Sequence, residues 1–250
     1  MLEARNVAFS YRRDRPLLAD VSLAAEPGMF TAVLGQNGCG KSTLLSLLTA
    51  QRQPQRGEVL LDGEAIAGVN RRERARKIAF VAQHSHANRL TVFDSVLLGR
   101  RPFMDSAPTA EDRAIVSRVL CDLGLEGYAL RYVDELSGGE YQVVVLARAF
   151  VQQTETLLLD EPTNNLDPAR QQEVMRLVRS EIGRRGIGAV AVMHDINLAL
   201  QHCDRLVFIK DGLVDASGGP EVVTPQLVER VYNLKADVVE MSGRRVVVPL

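Results

Sequence analysis

Cysteine is scarce and scattered in this 250-residue chain. Cys39, Cys121 and Cys203 are odd in number, far apart and without a CxxC spacing. That argues against a disulfide framework or a zinc site and suits a reducing compartment. Charge of one sign is missing too, since the formal net charge is −1. Nucleic-acid binders usually carry a basic excess or a basic stripe, so no nucleic-acid partner is expected. The run "RRERARK" (71–77) is broken by Glu73 and reads as a solvated helix face. No stretch approaches the roughly eighteen apolar residues of a membrane span. The N-terminal "MLEARNVAFSYRRD" lacks the apolar core of a signal peptide. Any membrane role is therefore expected to need a partner. Internal repeats and low-complexity segments are also missing. What remains is 46% hydrophobic and 24% charged, an ordinary globular composition with length enough for one large domain or two small ones.

The most informative stretch is "GQNGCGKST" (35–43). Before it, "MFTAVL" (29–34) is short, apolar and partly β-branched, which predicts a buried strand. After it, "STLLSLLTAQ" (42–51) places leucines at 44, 45, 47 and 48, an apolar helical face. The spacing G-x-x-x-x-G-K-[ST] is met by Gly35, Gly40, Lys41 and Ser42. Gly35, Gly38 and Gly40 let the backbone curl until its N–H groups point at an anion. The following helix adds its N-terminal dipole. Lys41 is expected to reach the β- and γ-phosphates, and the Ser42 hydroxyl to ligate Mg²⁺. A nucleoside triphosphate justifies the arrangement, so Gly35, Gln36, Asn37, Gly38, Cys39, Gly40, Lys41, Ser42 and Thr43 are the expected ATP cradle. Cys39 also sits close to Lys41 at a helix start. Both features favour a thiolate, which makes it the expected most reactive thiol.

A second buried strand, "LLLDEP" (157–162), ends in two carboxylates. Ligands gather at the carboxyl ends of parallel strands. Asp160 is then expected beside the phosphate loop, holding Mg²⁺ through water. Glu161, at the strand exit, is expected to orient the attacking water and take its proton. In "ELSGGEYQ" (135–142), Ser137 and Glu140 make a capping box before an apolar helix. Gly138 and Gly139 are poor helix formers, costing about 1 kcal/mol each inside a helix. Their value is bare N–H groups at a helix N-terminus, a second anion site.

LSGGE is similar to the LSGGQ signature of ATP-binding-cassette (ABC) ATPases. The glycine loop, the signature and DEPT (160–163) stand in that family's order, and the resemblance covers essentially the whole chain. It implies a P-loop NTPase core with a mostly parallel α/β sheet, an antiparallel β subdomain and an inserted helical subdomain. It also implies a homodimer through two sandwiched ATPs, with Ser137, Gly138, Gly139 and Glu140 of one subunit facing the phosphate loop of the other. By the same resemblance Tyr11 stacks on adenine, a contact worth about 1–3 kcal/mol. Gln83, ending "KIAFVAQ", joins Mg²⁺ to the helical region. Asp167 of "NNLD" crosses the dimer. His194, ending "GAVAVMH", contacts the γ-phosphate. The chain departs from the family where Gln36 replaces a common proline and Cys39 a common serine. After the signature it reads Tyr141-Gln142-Val143 where Arg-Gln-Arg is frequent.

The pattern divides the chain into a nucleotide-binding core with its β subdomain (1–84 and 154–236), a helical signature subdomain (85–153) and a C-terminal β-hairpin (237–250). "GEVLLDGEAI" (57–66) turns at Asp62-Gly63. Among family members, "MHDINLALQHCDRLVFIKDG", "TPQLVERVYNL" and "LLGRRPF" look most like the ATPases of ferric-siderophore, haem and cobalamin importers. That implies polytopic membrane permease subunits docking near Gln83 and the helix that begins at Thr91, indirect dependence on a substrate-binding protein, and a place on the cytoplasmic face of the inner membrane. A soluble ABC ATPase usually shows coiled coils, paired cassettes or a basic surface, and none is visible. A GTPase would need an N-K-x-D motif. The transported substrate stays open among ferric chelate, haem, cobalamin and oxyanion.

Overall fold

The computed structural model describes residues 1–12, 16–83 and 89–250. The expected domain boundary at 84/85 lies outside the described residues. Two antiparallel strands come first, β1 (Leu2–Phe9) and β2 (Leu18–Ala25), and β3 (Phe30–Leu34) runs through the glycine loop into α1 (Lys41–Leu48). The hairpin β4 (Arg56–Leu61) and β5 (Glu64–Ala65) turns at Asp62-Gly63, and α2 (Arg71–Lys77) leads to β6 (Ile78–Val81). Then come α3 (Val92–Leu97), a 3₁₀ segment at Leu98–Phe103, α4 (Ala110–Asp122) and α5 (Gly138–Phe150). The chain alternates again through β7 (Thr156–Asp160), α6 (Pro168–Arg185), β8 (Gly188–Val192), α7 (Ile196–His202), β9 (Arg205–Lys210), β10 (Leu213–Gly218) and α8 (Pro225–Tyr232). It ends in the hairpin β11 (Ala236–Met241) and β12 (Arg244–Pro249).

Ten strands form one sheet in the order β5-β4-β1-β2-β10-β9-β3-β8-β7-β6. The half from β9 to β6 is parallel, and β1, β2, β4 and β5 pair antiparallel. β3 (FTAVL), β7 (TLLLD) and β8 (GAVAV) are buried at every residue. Parallel strands covered on both faces require such unbroken apolar runs. The chain thus has a P-loop NTPase fold with a mixed sheet, an antiparallel hairpin and inserted helices.

The sheet separates two cores. One buries Leu44, Leu45, Leu47 and Leu48 of α1 against β1, β2 and the near faces of the parallel strands. Each such leucine contributes about 1.5–3 kcal/mol. The other packs α3 to α8 on the opposite face. Within the helical insertion, α5 lies against α3, α4 and α6. Arg100 and Asp112 pair there at 2.9 Å, both side chains buried. Arg100 also donates to the Val151 carbonyl at 3.0 Å and lies over the Phe103 ring. The Thr109 backbone N–H, with Arg100, holds the Asp112 carboxyl below the usual carboxylate range. α2 buries none of its residues, yet it is more than a solvated face. Arg72 and Arg76 donate to the Pro102 carbonyl and pin the 3₁₀ segment. Among the described residues no helix is long and apolar enough to cross a membrane.

Candidate active site

Register sets the site. Val33 pairs with Val192, Asp160 with Val192 and Val81 with Leu159, so β3, β8, β7 and β6 end level with one another. Their carboxyl ends carry the glycine loop, His194, Asp160-Glu161 and Gln83 respectively. Gly35 leaves β3 at φ 148, and a Cβ there would meet the Ile209 carbonyl oxygen at 2.3 Å. Only glycine fits that approach. α1 begins at Gly40 with no side-chain cap, so the N–H groups of its first turn face the loop unclaimed by side chains. That is the geometry an anion needs. Lys41 is 5% exposed and donates through Nζ to the carbonyls of Gly35 (2.8 Å) and Gln36 (3.0 Å). Burial pushes its ammonium below the usual value, against the opposing pull of Cys39, Glu161 and Asp160.

The Ser42 hydroxyl donates to Asp160 Oδ1 at 3.0 Å. Burial raises the Asp160 carboxyl above the usual range, and the Ser42 hydrogen bond opposes it. A buried carboxylate beside an exposed hydroxyl offers the oxygen donors that a hard divalent cation such as Mg²⁺ takes. Ser42 thus meets Asp160, while Gln83 is bonded to the neighbouring Glu161. Tyr11 is not a core tyrosine. It is 58% exposed, its hydroxyl lies 3.2 Å from Thr43 Oγ1, and its ring stands edge-on to Phe9. Arg52 lies 4.7 Å from the ring centroid. Tyr11, Asn37, Gly38, Gly40, Lys41, Ser42, Thr43, Glu161 and His194 line one cleft of about 380 Å³. Gln36 and Cys39 line instead a hollow of about 430 Å³ on the other side of the loop, with Ile209, Asp211 and Val231.

Glu161 is held from every side. Its Oε2 accepts from Gln83 Nε2 at 2.5 Å and from Asn164 Nδ2 at 3.0 Å, and its Oε1 lies 2.5 Å from His194 Nε2. Its backbone sits at φ 51, a left-handed conformation that costs a non-glycine residue about 1–3 kcal/mol. Glu161 N–H donates to the Val192 carbonyl at 3.1 Å, and the Glu161 carbonyl accepts from Asn164 N–H at 3.1 Å. The sequence reading missed Asn164. Its signal was an amide side chain three residues after the expected base.

Ser137 caps α5 in a reciprocal box. Its Oγ accepts from Glu140 N–H at 3.3 Å, and Glu140 Oε2 accepts from Ser137 N–H at 2.8 Å. Gly138 and Gly139 open the helix. Asp167 caps α6, accepting from Ala169 and Arg170 N–H at 3.0 Å. None of Ser137, Gly138, Gly139, Glu140 and Asp167 is among the residues lining the cleft. The sequence reading passed over Gln142 as well, whose Nε2 donates to the Pro162 carbonyl at 2.8 Å.

One expectation fails. Cys39 was expected to favour the thiolate, but its thiol is pushed up. Burial against the underside of the loop outweighs the nearby Lys41 and the local backbone hydrogen bonds. Glu126 raises the exposed Cys121, and deep burial raises Cys203 far more.

A family model described as ABC transporter matches residues 18–164. An uncharacterised ABC transporter ATP-binding protein of Methanocaldococcus jannaschii is 42% identical over 250 residues, covering 100% of this chain and 98% of its own. The hemin import ATP-binding protein HmuV of Bordetella bronchiseptica is 40% identical, covering 95% and 94%. The petrobactin import ATP-binding protein YclP of Bacillus subtilis is 34% identical, covering 98% of each. Among solved structures, an ABC transporter of proposed metal-chelate type, in an inward-facing conformation, superposes with a TM-score of 0.86 at 27% identity, covering 100% of this chain and 96% of that one. A dimeric bacterial ABC transporter cassette does so with a TM-score of 0.78 at 29% identity, covering 88% and 98%.

Proposed function

The chain belongs to the ABC transporter family, and on that premise we propose that it energises the import of an iron chelate or haem. It is an ATP-binding and ATP-hydrolysing subunit that works as a homodimer with membrane permease components. The importer reading is supported by the hemin and petrobactin import relatives, and the dimer by a division of labour within the chain. Lys41, Ser42, Glu161 and His194 line one cleft, with Asp160 bonded to Ser42 beside it, while the capped glycines at 137–140 open elsewhere. A cleft furnished with a base, a pair of oxygen donors for a cation and a phosphate loop, but among the described residues no second anion-binding helix start in its lining, is completed by a second copy. Two ATPs are then sandwiched between subunits, each between one chain's phosphate loop and the other's Ser137-Gly138-Gly139-Glu140, with Asp167 reaching across.

At each site the loop N–H groups and Lys41 bind the phosphates, and Tyr11 stacks on the adenine. Ser42, Asp160 and Gln83 would hold Mg²⁺, which would supply Lewis-acid neutralisation of phosphate charge. Glu161 accepts the proton of the attacking water, and His194 fixes the carboxylate that accepts it. The helical insertion (85–153) acts as the signature-bearing arm on the core (1–84 and 154–236), with the hairpin (237–250) appended. The permease docks beside β6, the strand whose end carries Gln83. A cleft of about 480 Å³ lined by Ala50, Arg71, Arg74, Phe80 and Gln152 supports that placement. The subunit then lies on the cytoplasmic face of the inner membrane, answering indirectly to a substrate-binding protein.

Reconstitution tests this reading. The chain, co-purified with its permease in proteoliposomes, should hydrolyse ATP faster when a binding protein loaded with haem or a ferric chelate is added. Hydrolysis indifferent to haem, ferric siderophore and cobalamin, or failure to co-purify with any polytopic membrane protein, rejects the import reading.

A further inference from the structure

The backbone that presents Glu161 is strained, so something must hold it. The anchors can be enumerated. Glu161 N–H is bound to Val192, and the Glu161 carbonyl to Asn164 N–H. The next two carbonyls accept from glutamine side chains: Pro162 from Gln142 at 2.8 Å and Thr163 from Gln171 at 3.3 Å. Val192 belongs to β8 and Gln171 to α6, both of them core elements. Gln142 differs. It sits in the second turn of α5, the helix that Ser137, Gly138 and Gly139 open, and it spans from the helical insertion to the loop carrying Glu161. The packing of this joint is close, because a Cβ on Gly139 would meet the Arg170 side chain of α6 at 3.2 Å.

We propose that Gln142 is a positioning residue for Glu161. Its amide ties the signature-bearing helix to the carbonyl one residue past the base. This deepens the functional reading and rests on Glu161 being the general base. The consequence is communication between the two ATP sites of a dimer. Signature glycines that engage the partner's nucleotide fix the start of α5, and Gln142 passes that constraint to the base of its own chain. A glutamine suits the task because it reaches a main-chain carbonyl as a neutral donor and adds no charge beside Glu161.

Gln142→Met keeps the length and removes the donor, and Gln142→Glu keeps size and polarity while repelling the carbonyl. One neutral hydrogen bond lost at a strained loop predicts a fall in kcat of about 5- to 10-fold, with KM for ATP within about twofold of the parent. Hydrogen exchange of the Glu161, Thr163 and Asn164 amides in the full-length chain should quicken in both variants, while that of the α1 amides stays as it was. In a Glu161→Gln background the residual rate should fall no further, because positioning matters only to a working base. Unchanged kcat with unchanged exchange in either variant overturns the proposal, as does a full additional loss in the Glu161→Gln background. Faster exchange at 161–164 alongside near-parental turnover of Glu161→Gln alone has a different meaning: Gln142 positions the loop, and Glu161 is not the base.

Discussion

Replacing Glu161 by glutamine separates chemistry from architecture, because the surroundings of this side chain accept an amide almost unchanged. Gln83 and Asn164 both donate to Oε2, and an amide oxygen in that place still accepts from both. The other corner faces His194 Nε2, where an NH₂ group can donate to an unprotonated ring nitrogen. The left-handed backbone at φ 51 suits glutamine no less than glutamate. Folding and ATP binding should therefore survive. What the amide cannot do is accept a proton from water. General-base removal costs about 10²–10⁴ in rate, or about 2.7–5.4 kcal/mol at 1.36 kcal/mol per decade. Phosphate release from the purified variant should fall by that factor, and the variant should run as a dimer on sizing with Mg-ATP but as a monomer without it. Turnover within about tenfold of the parent would refute the assignment of the base.

Three further outcomes follow from the same geometry. A Cβ at Gly138 meets nothing within 4 Å, so Gly138→Asp should fold and bind ATP in the single chain. On the proposed dimer it should nonetheless lose at least about 10²-fold in kcat, its carboxylate opposing the partner's phosphate; a single chain unable to bind ATP in calorimetry would mean that these glycines serve their own cleft. Arg100→Met leaves the buried Asp112 carboxylate its Thr109 hydrogen bonds but no counter-charge, which predicts a loss of about 3–5 kcal/mol and a melting temperature lower by about 6–20 °C in scanning calorimetry, and an unchanged transition would contradict it. Alkylation mapped by mass spectrometry should find Cys121 first. The log rate at Cys39 should climb about one unit per pH unit from pH 7 to 9, since a raised thiol leaves thiolate scarce, and Cys203 should react only on unfolding. A plateau at Cys39 near pH 7 would contradict the burial argument.

The parts of this molecule that the sequence made readable are those in which neighbouring residues decide the outcome. The apolar runs of β3, β7 and β8 named themselves as central strands, because a strand covered on both faces has no room for alternation. Ser137 with Glu140, and the turn at Asp62-Gly63, marked the start of α5 and the bend between β4 and β5 by local hydrogen bonding and backbone freedom alone. The glycine loop, Asp160, Glu161 and His194 could be placed together because parallel strands bring their ends level. What escaped was every interaction fixed by tertiary approach. No periodicity announces that Gln142 will reach Pro162, that Arg72 and Arg76 will clasp Pro102, or that Arg100 will pair with Asp112 inside the insertion.

Cys39 shows the limit most clearly, because two local arguments and one tertiary fact oppose each other there. Its neighbours in sequence, Lys41 and a helix start, both stabilise a thiolate. Its neighbours in space do not. The loop turns the thiol toward Gly35 and the end of β9, close enough that a Cβ on Gly35 would come within 2.9 Å of Sγ. The phosphate cleft is lined by Asn37, Gly38 and Gly40, and Cys39 is left to line the hollow behind the loop. A charge placed there loses water and gains only the weak field of an ammonium that is itself bonded to two loop carbonyls. Desolvation then exceeds attraction, and the thiol stays protonated. The same geometry explains how cysteine occupies this position in a phosphate loop: a neutral, compact thiol packs beneath the cradle without competing for the anion that the cradle is built to hold.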